Sequence, residues 1–103
     1  MTNNAPQTLS ALQNFIHDRY FETDSIRGTP ATFMWFVEEV GELATALHKV
    51  AGEGGDTSDT SNLEEEFADV LAWLCTLANI NNVDLTEAVR KKYFEGGGPK
   101  GHK

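Results

Sequence analysis

Apolar residues recur three and four positions apart over most of the chain and nowhere alternate convincingly over four or more. That period predicts helices and no strands. Leu9, Leu12, Phe15, Ile16 and Tyr20 mark a first helix over residues 8–21. The polar "ETDSIRGTP" reads as a loop, and Thr29 as N-cap with Pro30 at the first helical position opens a second helix. That helix runs through Val50 and is stopped by Gly52, after which "GEGGDTSDT" is a polar, glycine-rich connection. Ser61 with Glu64 three residues on forms a capping box for a third helix ending near Asn79 to Asn82. Asp84 with Glu87 repeats that logic for a short fourth helix to about Phe94. The expected fold is all-α, a four-helix bundle. One domain spans 8–94, between a disordered start over 1–7 and a flexible tail over 95–103.

The second and third helices carry an anomaly. At about 100° per residue, Phe33, Phe36, Val37, Val40, Leu43, Ala44 and Leu47 form one apolar face, and Leu63, Phe67, Val70, Leu71, Leu74 and Leu77 another. Glu39 and Glu66 fall at the borders of these faces. Glu42 and Asp69 stand one turn further on, while Glu38, Glu64 and Glu65 point more outward. Each helix thus offers an i, i+3 carboxylate pair, Glu39/Glu42 and Glu66/Asp69, on a single side. Packed antiparallel, the helices would bring four carboxylates together. Such a group repels itself unless protonated or bridged by a cation, and oxygen ligands in that number suit Mg²⁺, Mn²⁺ or Ca²⁺ rather than zinc. A single pair of this kind is ordinarily a solvated helix face; two at matching angles on consecutive apolar helices favour a shared site.

Charge distribution sharpens the point. The net charge is −8, and ten of the sixteen acidic residues lie between Glu38 and Asp69, where Lys49 is the only Lys or Arg. Five of the eight basic residues lie in the last fourteen positions. An acidic middle argues against duplex nucleic acid, whose phosphates require a basic face. The 103 residues bound a single core, and a chain this short often gains stability by oligomerising. Cys75 is the sole cysteine, which excludes an internal disulfide and fits a reducing compartment. No apolar run reaches the roughly 18 residues of a membrane span, and "MTNNAPQTLS" lacks the regions of a signal peptide. A cytoplasmic protein is expected.

The arrangement "EEVGE", a glycine-rich gap, then "EEEFADV" resembles the MazG-type nucleoside triphosphate pyrophosphohydrolases, whose signature is EExxE, a spacer and ExxD. Glu38-Glu39-x-x-Glu42 and Glu66-x-x-Asp69 match it. The likeness extends over most of the expected domain, including "RGTP", "LANINNVDL" and "AVRKKY". It implies hydrolysis of an NTP or dNTP to the monophosphate and pyrophosphate with Mg²⁺, for which Mn²⁺ substitutes. It further implies Glu39, Glu42, Glu66 and Asp69 as metal ligands, with Glu38 beside them as a candidate base. Lys92 is placed near the phosphates, Asn79 at a turn asparagine of the family, and the assembly is a homodimer or homotetramer that often completes its site across subunits. The tail "GGGPKGHK" lacks the cysteines some short relatives carry, so no zinc knuckle is expected.

Other residues have two readings each. Trp35 and Trp73 either pack or stack on a base, with Trp73 better placed, one turn after Asp69; Tyr20 and Phe21 are similar. Lys49 is a second group for phosphate charge. His48 reads as a helix-terminal charge and Cys75 as packing. A di-iron bundle is disfavoured because no Glu-x-x-His occurs, and "GEGGDTSDTSNLE" lacks EF-hand spacing. Two alternatives stay open at this stage: a phosphoribosyl-ATP pyrophosphohydrolase-like enzyme, and a non-catalytic acidic helical module that binds a basic partner.

Overall fold

Residues 7–52 and 57–95 are described by the computed structural model of the protein. Helix α1 is Leu9–Ala51, α2 is Thr57–Ile80 and α3 is Leu85–Val89, followed by a π-helical turn Arg90–Glu95. Among the described residues there is no strand and no helix long and apolar enough to cross a membrane. The all-α expectation holds. The start expected to be disordered and the tail expected to be flexible, apart from Gln7 and Glu95, lie outside the described residues, as do residues 53–56 of the glycine-rich connection.

Thr8 caps α1, its hydroxyl accepting from the Ala11 N–H at 3.0 Å, which satisfies one of the free donors at the helix start. The expected loop over 22–27 is instead helical. It contains no Gly or Pro, and the Arg27–Asp24 ion pair at 2.8 Å ties one turn together. The break is confined to Gly28, whose φ of 82° and ψ of 170° bend α1 into two arms. A side chain rarely tolerates that φ, so glycine is required there. Pro30 follows where the second arm starts and its missing N–H costs nothing. The two arms with α2 and α3 supply the four helical segments expected. At the other end, the Gly52 N–H bonds back to the His48 carbonyl at 3.1 Å, the stop read from the sequence.

Helix α2 begins at Thr57, one turn earlier than expected, so Ser61 lies inside it and opens no helix. Asp59 in the first turn complements the positive helix end, and nothing between Thr57 and Ser61 breaks the helix. The C-terminus closes with Asn82 at φ 58°. Val83 N–H reaches the Ala78 carbonyl at 2.8 Å and Asn82 N–H that of Asn79 at 3.2 Å, a Schellman closure in which asparagine takes the left-handed position. Asp84 caps α3 by accepting from the Glu87 N–H at 3.1 Å. The Glu87 carboxylate turns to Arg90 at 2.8 Å, so only half of that capping box forms.

The second arm of α1 runs antiparallel to α2. Thr29 meets Asn81, and Trp35 stacks on Trp73 at 6.2 Å between ring centres. Glu39 meets Glu66 and Asp69. Buried and half-buried positions recur at 32, 36, 39, 43, 46 and 50 on α1 and at 59, 63, 66, 70, 73, 77 and 80 on α2. These alternate four and three apart, the spacing of a helix-pair seam. Of the positions expected to be buried, Phe36 and Leu43 on α1 and Leu63, Val70 and Leu77 on α2 lie in this seam, while others do not. Phe33, Val37, Val40 and Leu47, with Phe67, Leu71 and Leu74, are 39–53% exposed. The expected arcs therefore overlap the seam at those five positions and extend beyond it onto the outer side. Small residues, Ala46, Cys75 and Ala78, let the segments approach closely and are buried with Ile16.

Candidate functional site

Antiparallel seam packing brings the two carboxylate pairs together. One ligand oxygen each from Glu39, Glu66 and Asp69 lies within 4.8 Å of the others, and the same holds for Glu38, Glu39 and Glu42. Glu39 belongs to both groups. Glu39 and Glu66, expected at the borders of the apolar faces, sit in the seam itself, half-buried, while Glu38, Glu42 and Asp69 are exposed around them. A helix pair that seats acids at seam positions forgoes apolar packing there, which is unfavourable unless the charges serve a purpose.

The electrostatics follow from that placement. The Glu39 carboxyl is pushed from 4.5 up to about 7, first because its proton is shared with Glu42, then by burial and by the charges of Glu42, Asp69 and Glu66. Burial raises Glu66 as well, with Glu42 and Asp69 adding to it. Every influence on these two acids works against ionisation, and none is a cation. Two oxygen-only groups of three carboxylates that share half-buried Glu39 fit a hard divalent ion. Ion binding would replace the shared proton.

The remaining predicted residues are spread more widely. Trp73 lies one turn beyond Asp69 on α2, stacked with Trp35. Exposed Lys49 is seven residues beyond Glu42, roughly 10 Å along α1. Asn79 is ten residues from Asp69, about 15 Å along α2. Its side chain is held by Gln13, whose Nε2 donates to Asn79 Oδ1 at 3.0 Å while Asn79 Nδ2 donates to the Gln13 carbonyl at 3.2 Å. Gln13 also donates to the Val83 carbonyl and accepts from the Leu85 N–H at 3.0 Å, pinning the first arm to the α2–α3 turn. Lys92 sits in the C-terminal π-turn with its Nζ 5.8 Å from the Tyr93 ring centre. Cys75 is fully buried and burial raises its thiol, so it is packing. His48 occupies the last turn of α1, and His17 stacks on Phe21 at 4.3 Å.

One feature escaped sequence reasoning. Between the first arm and α2 lies a cleft of about 420 Å³ with Phe15, Tyr20, Asp24, Arg27, Trp73 and Thr76 in its walls. The signal available was Asp24-x-x-Arg27 just before Gly28, an i, i+3 ion pair hidden inside what read as a polar loop.

Two comparisons bear on identity. A search of curated proteins finds no significant match. The MazG nucleotide pyrophosphohydrolase domain matches residues 28–93, a stretch that opens at the Gly28 bend and takes in the second arm, α2 and α3. Both halves of the acidic signature fall inside it, and they are the halves the seam brings together. The chain belongs to the MazG nucleotide pyrophosphohydrolase family.

Proposed function

We propose that the protein hydrolyses a nucleoside or deoxynucleoside triphosphate to the monophosphate and pyrophosphate in a Mg²⁺-dependent reaction, as nucleotide-pool house-cleaning. The observation that carries this is that half-buried Glu39 belongs to two close groups of carboxylates, one with Glu66 and Asp69 and one with Glu38 and Glu42, with its own carboxyl raised to about 7. Glu39, Glu42, Glu66 and Asp69 would hold the cation. When bound, it neutralises phosphate oxygens and makes a water more acidic. Glu38, next to Glu39 and Glu42 but outside the seam, accepts the proton of the attacking water. The new oxygen–phosphorus bond forms at the α-phosphorus as the bond to the bridging oxygen breaks, and pyrophosphate departs. Positioning and charge account for most of the rate, as in phosphoryl transfer generally.

The exposed apolar faces of α1 and α2 support a homodimer or homotetramer. Phe33, Val37, Phe67 and Leu71 present the larger part of a second seam that a second copy covers, completing a four-helix core. In that assembly Lys92 reaches the phosphates from the neighbouring copy, Lys49 meets residual phosphate charge, and Trp73 flanks the nucleoside. Asn79 supports the site indirectly, through Gln13 and the first arm.

The test is a panel of NTPs and dNTPs, with phosphoribosyl-ATP included, assayed with and without Mg²⁺ for pyrophosphate against phosphate. The expected products are monophosphate and pyrophosphate in equal amounts, and none in excess chelator. Glu39→Gln and Glu66→Gln abolish turnover and keep the helical content. Turnover of the panel in chelator, or phosphate as the released product, would overturn the proposal.

A further inference from the structure

The segment that carries Lys92 is held to the body of the chain by one side chain more than by packing. From Leu85 to Glu95 no residue is buried. A cavity of about 530 Å³, with Leu9, Val89 and Phe94 in its walls, lies between the start of α1 and the segment of α3 and the π-turn. Apolar contact therefore does little to fix the direction of α3.

Hydrogen bonds fix it instead. Gln13 is 8% exposed on the inner side of the first arm, three residues before buried Ile16, where a polar amide is unfavourable unless it is bonded. Both of its amide donors are committed, Nε2 donating to the Val83 carbonyl at 2.6 Å and to Asn79 Oδ1 at 3.0 Å. Its Oε1 accepts from the Leu85 N–H at 3.0 Å, one of the donors that the start of a helix leaves free. Asp84 takes the Glu87 N–H of the same first turn. Gln13 thus caps α3 from a different helix. A further bond from α1, Ser10 Oγ donating to Thr86 Oγ1 at 3.0 Å, is exposed and competes with water.

We infer that Gln13 is a positioning residue for the phosphate end of the site: by capping α3 across the fold it aims the π-turn and sets where Lys92 stands. Arg90 joins Glu87 to Glu95, so that α3 and the π-turn move as one piece. Lys92 lies seven residues beyond Leu85, roughly 10 Å along the helix direction. A tilt of about 10° at Leu85 displaces it by about 2 Å, enough to part a cation from a phosphate oxygen. The bearing of this placement on turnover rests on the reading of Lys92 as a group for the phosphates.

Two spin labels test the placement without substrate or metal. Thr45→Cys and Lys91→Cys put them at exposed positions on the second arm and the π-turn, while Cys75 is fully buried. Double electron–electron resonance on the full chain, diluted with unlabelled chain, should give one narrow distance. Gln13→Met, which keeps the size and removes the bonds, should broaden or shift it with helical content intact. Gln13→Glu, which keeps the acceptor for Leu85 and loses the two donors, should fall between the two. A kinetic arm measures kcat/KM for the triphosphate that the wild type turns over fastest. Lys92→Ala and Gln13→Met should each lower it by roughly tenfold or more, and the double variant by about as much as Lys92→Ala alone, because a misplaced lysine has little left to lose. Mn²⁺ binding at the acidic cluster should be the same in all of them. An unchanged distance in folded Gln13→Met or Gln13→Glu protein overturns the inference. So does a double variant in which the two losses multiply, or Mn²⁺ binding weakened by Gln13→Met, the mark of a general loosening. A distance that broadens while Lys92→Ala turns over normally counts against the phosphate role of Lys92 alone.

Discussion

Replacing Glu39 with glutamine should stabilise the metal-free protein, and the gain should depend on pH in a specified way. In the folded chain the Glu39 carboxyl titrates near 7 instead of 4.5. The folded state therefore holds a proton that the unfolded chain has released between those values. Where the native state binds more protons, stability falls as pH rises. The loss begins near 4.5, is complete above about 7, and is absent below 4.5, where both states are protonated. At 1.36 kcal/mol per pKa unit the shift sets a ceiling of roughly 3 kcal/mol. Solvent screening at a half-buried, partly open position reduces that to ~1 kcal/mol. For a domain of this size the change corresponds to a melting shift of roughly 4–8 °C. The assay is circular dichroism melting of wild type and Glu39→Gln at pH 4.5 and pH 8, in chelator and at one protein concentration, since association also shifts Tm. The variant should melt higher at pH 8 and within error of the wild type at pH 4.5. A variant less stable at pH 8, or a difference of the same size at both pH values, would refute the reasoning that these carboxylates are crowded by one another.

Further expectations concern other parts of the molecule. Excess Mg²⁺ at pH 8 should raise the Tm of the wild type, by about 2.7 kcal/mol of stabilisation at one hundred times Kd, and leave Glu39→Gln nearly unmoved; equal responses would dissociate the ion from this site. Gly28→Ala should cost roughly 1–2 kcal/mol in chemical denaturation, because no atom stands in the way of a Cβ and the whole penalty lies in holding φ at 82°. Gln13→Ala removes the anchor shared by Asn79, Val83 and Leu85 and should destabilise by about 2–3 kcal/mol, measured the same way. Phe67→Arg, on the exposed apolar face, should reduce the mass found by light scattering to that of a single chain; an unchanged mass would place the contact between copies elsewhere.

The parts of this fold legible in the sequence were those fixed by local chemistry. Thr8, Gly52 and Asp84 ended or opened helices where hydrogen-bonding and backbone freedom say they should. The i, i+3 acid pairs could be placed on matching sides because helical geometry leaves no choice. The antiparallel approach followed from two long amphipathic segments joined by a short connection. Two things were hidden for physical reasons. Residues 22–27 are polar, so they resembled a loop, yet the Asp24–Arg27 pair makes them a helical turn and the bend shrinks to a single glycine. Each long helix also carries two adjacent apolar stripes, and periodicity alone does not say which faces its own chain. The arc read as the interior was broader than the seam, and its outer part, Phe33, Val37 and Phe67, is exposed. The intramolecular seam took Phe36, Leu43, Leu63, Val70 and Leu77 from that arc together with Thr32, Glu39 and Glu66. Asn79 matched a turn asparagine of the family, and its hydrogen bonds join it to Gln13, some 15 Å along α2 from the acids.

The claim on which the account turns is that Glu39, Glu42, Glu66 and Asp69 jointly hold a hard divalent cation. Mn²⁺ titration followed by electron paramagnetic resonance tests it without reference to any substrate. The wild type should remove the free-ion signal in a saturable way that Mg²⁺ reverses, and a Glu39→Gln/Glu66→Gln double variant with intact helical content should not. A wild type that leaves the free Mn²⁺ signal unchanged at neutral pH, or a double variant that binds as well, would contradict it.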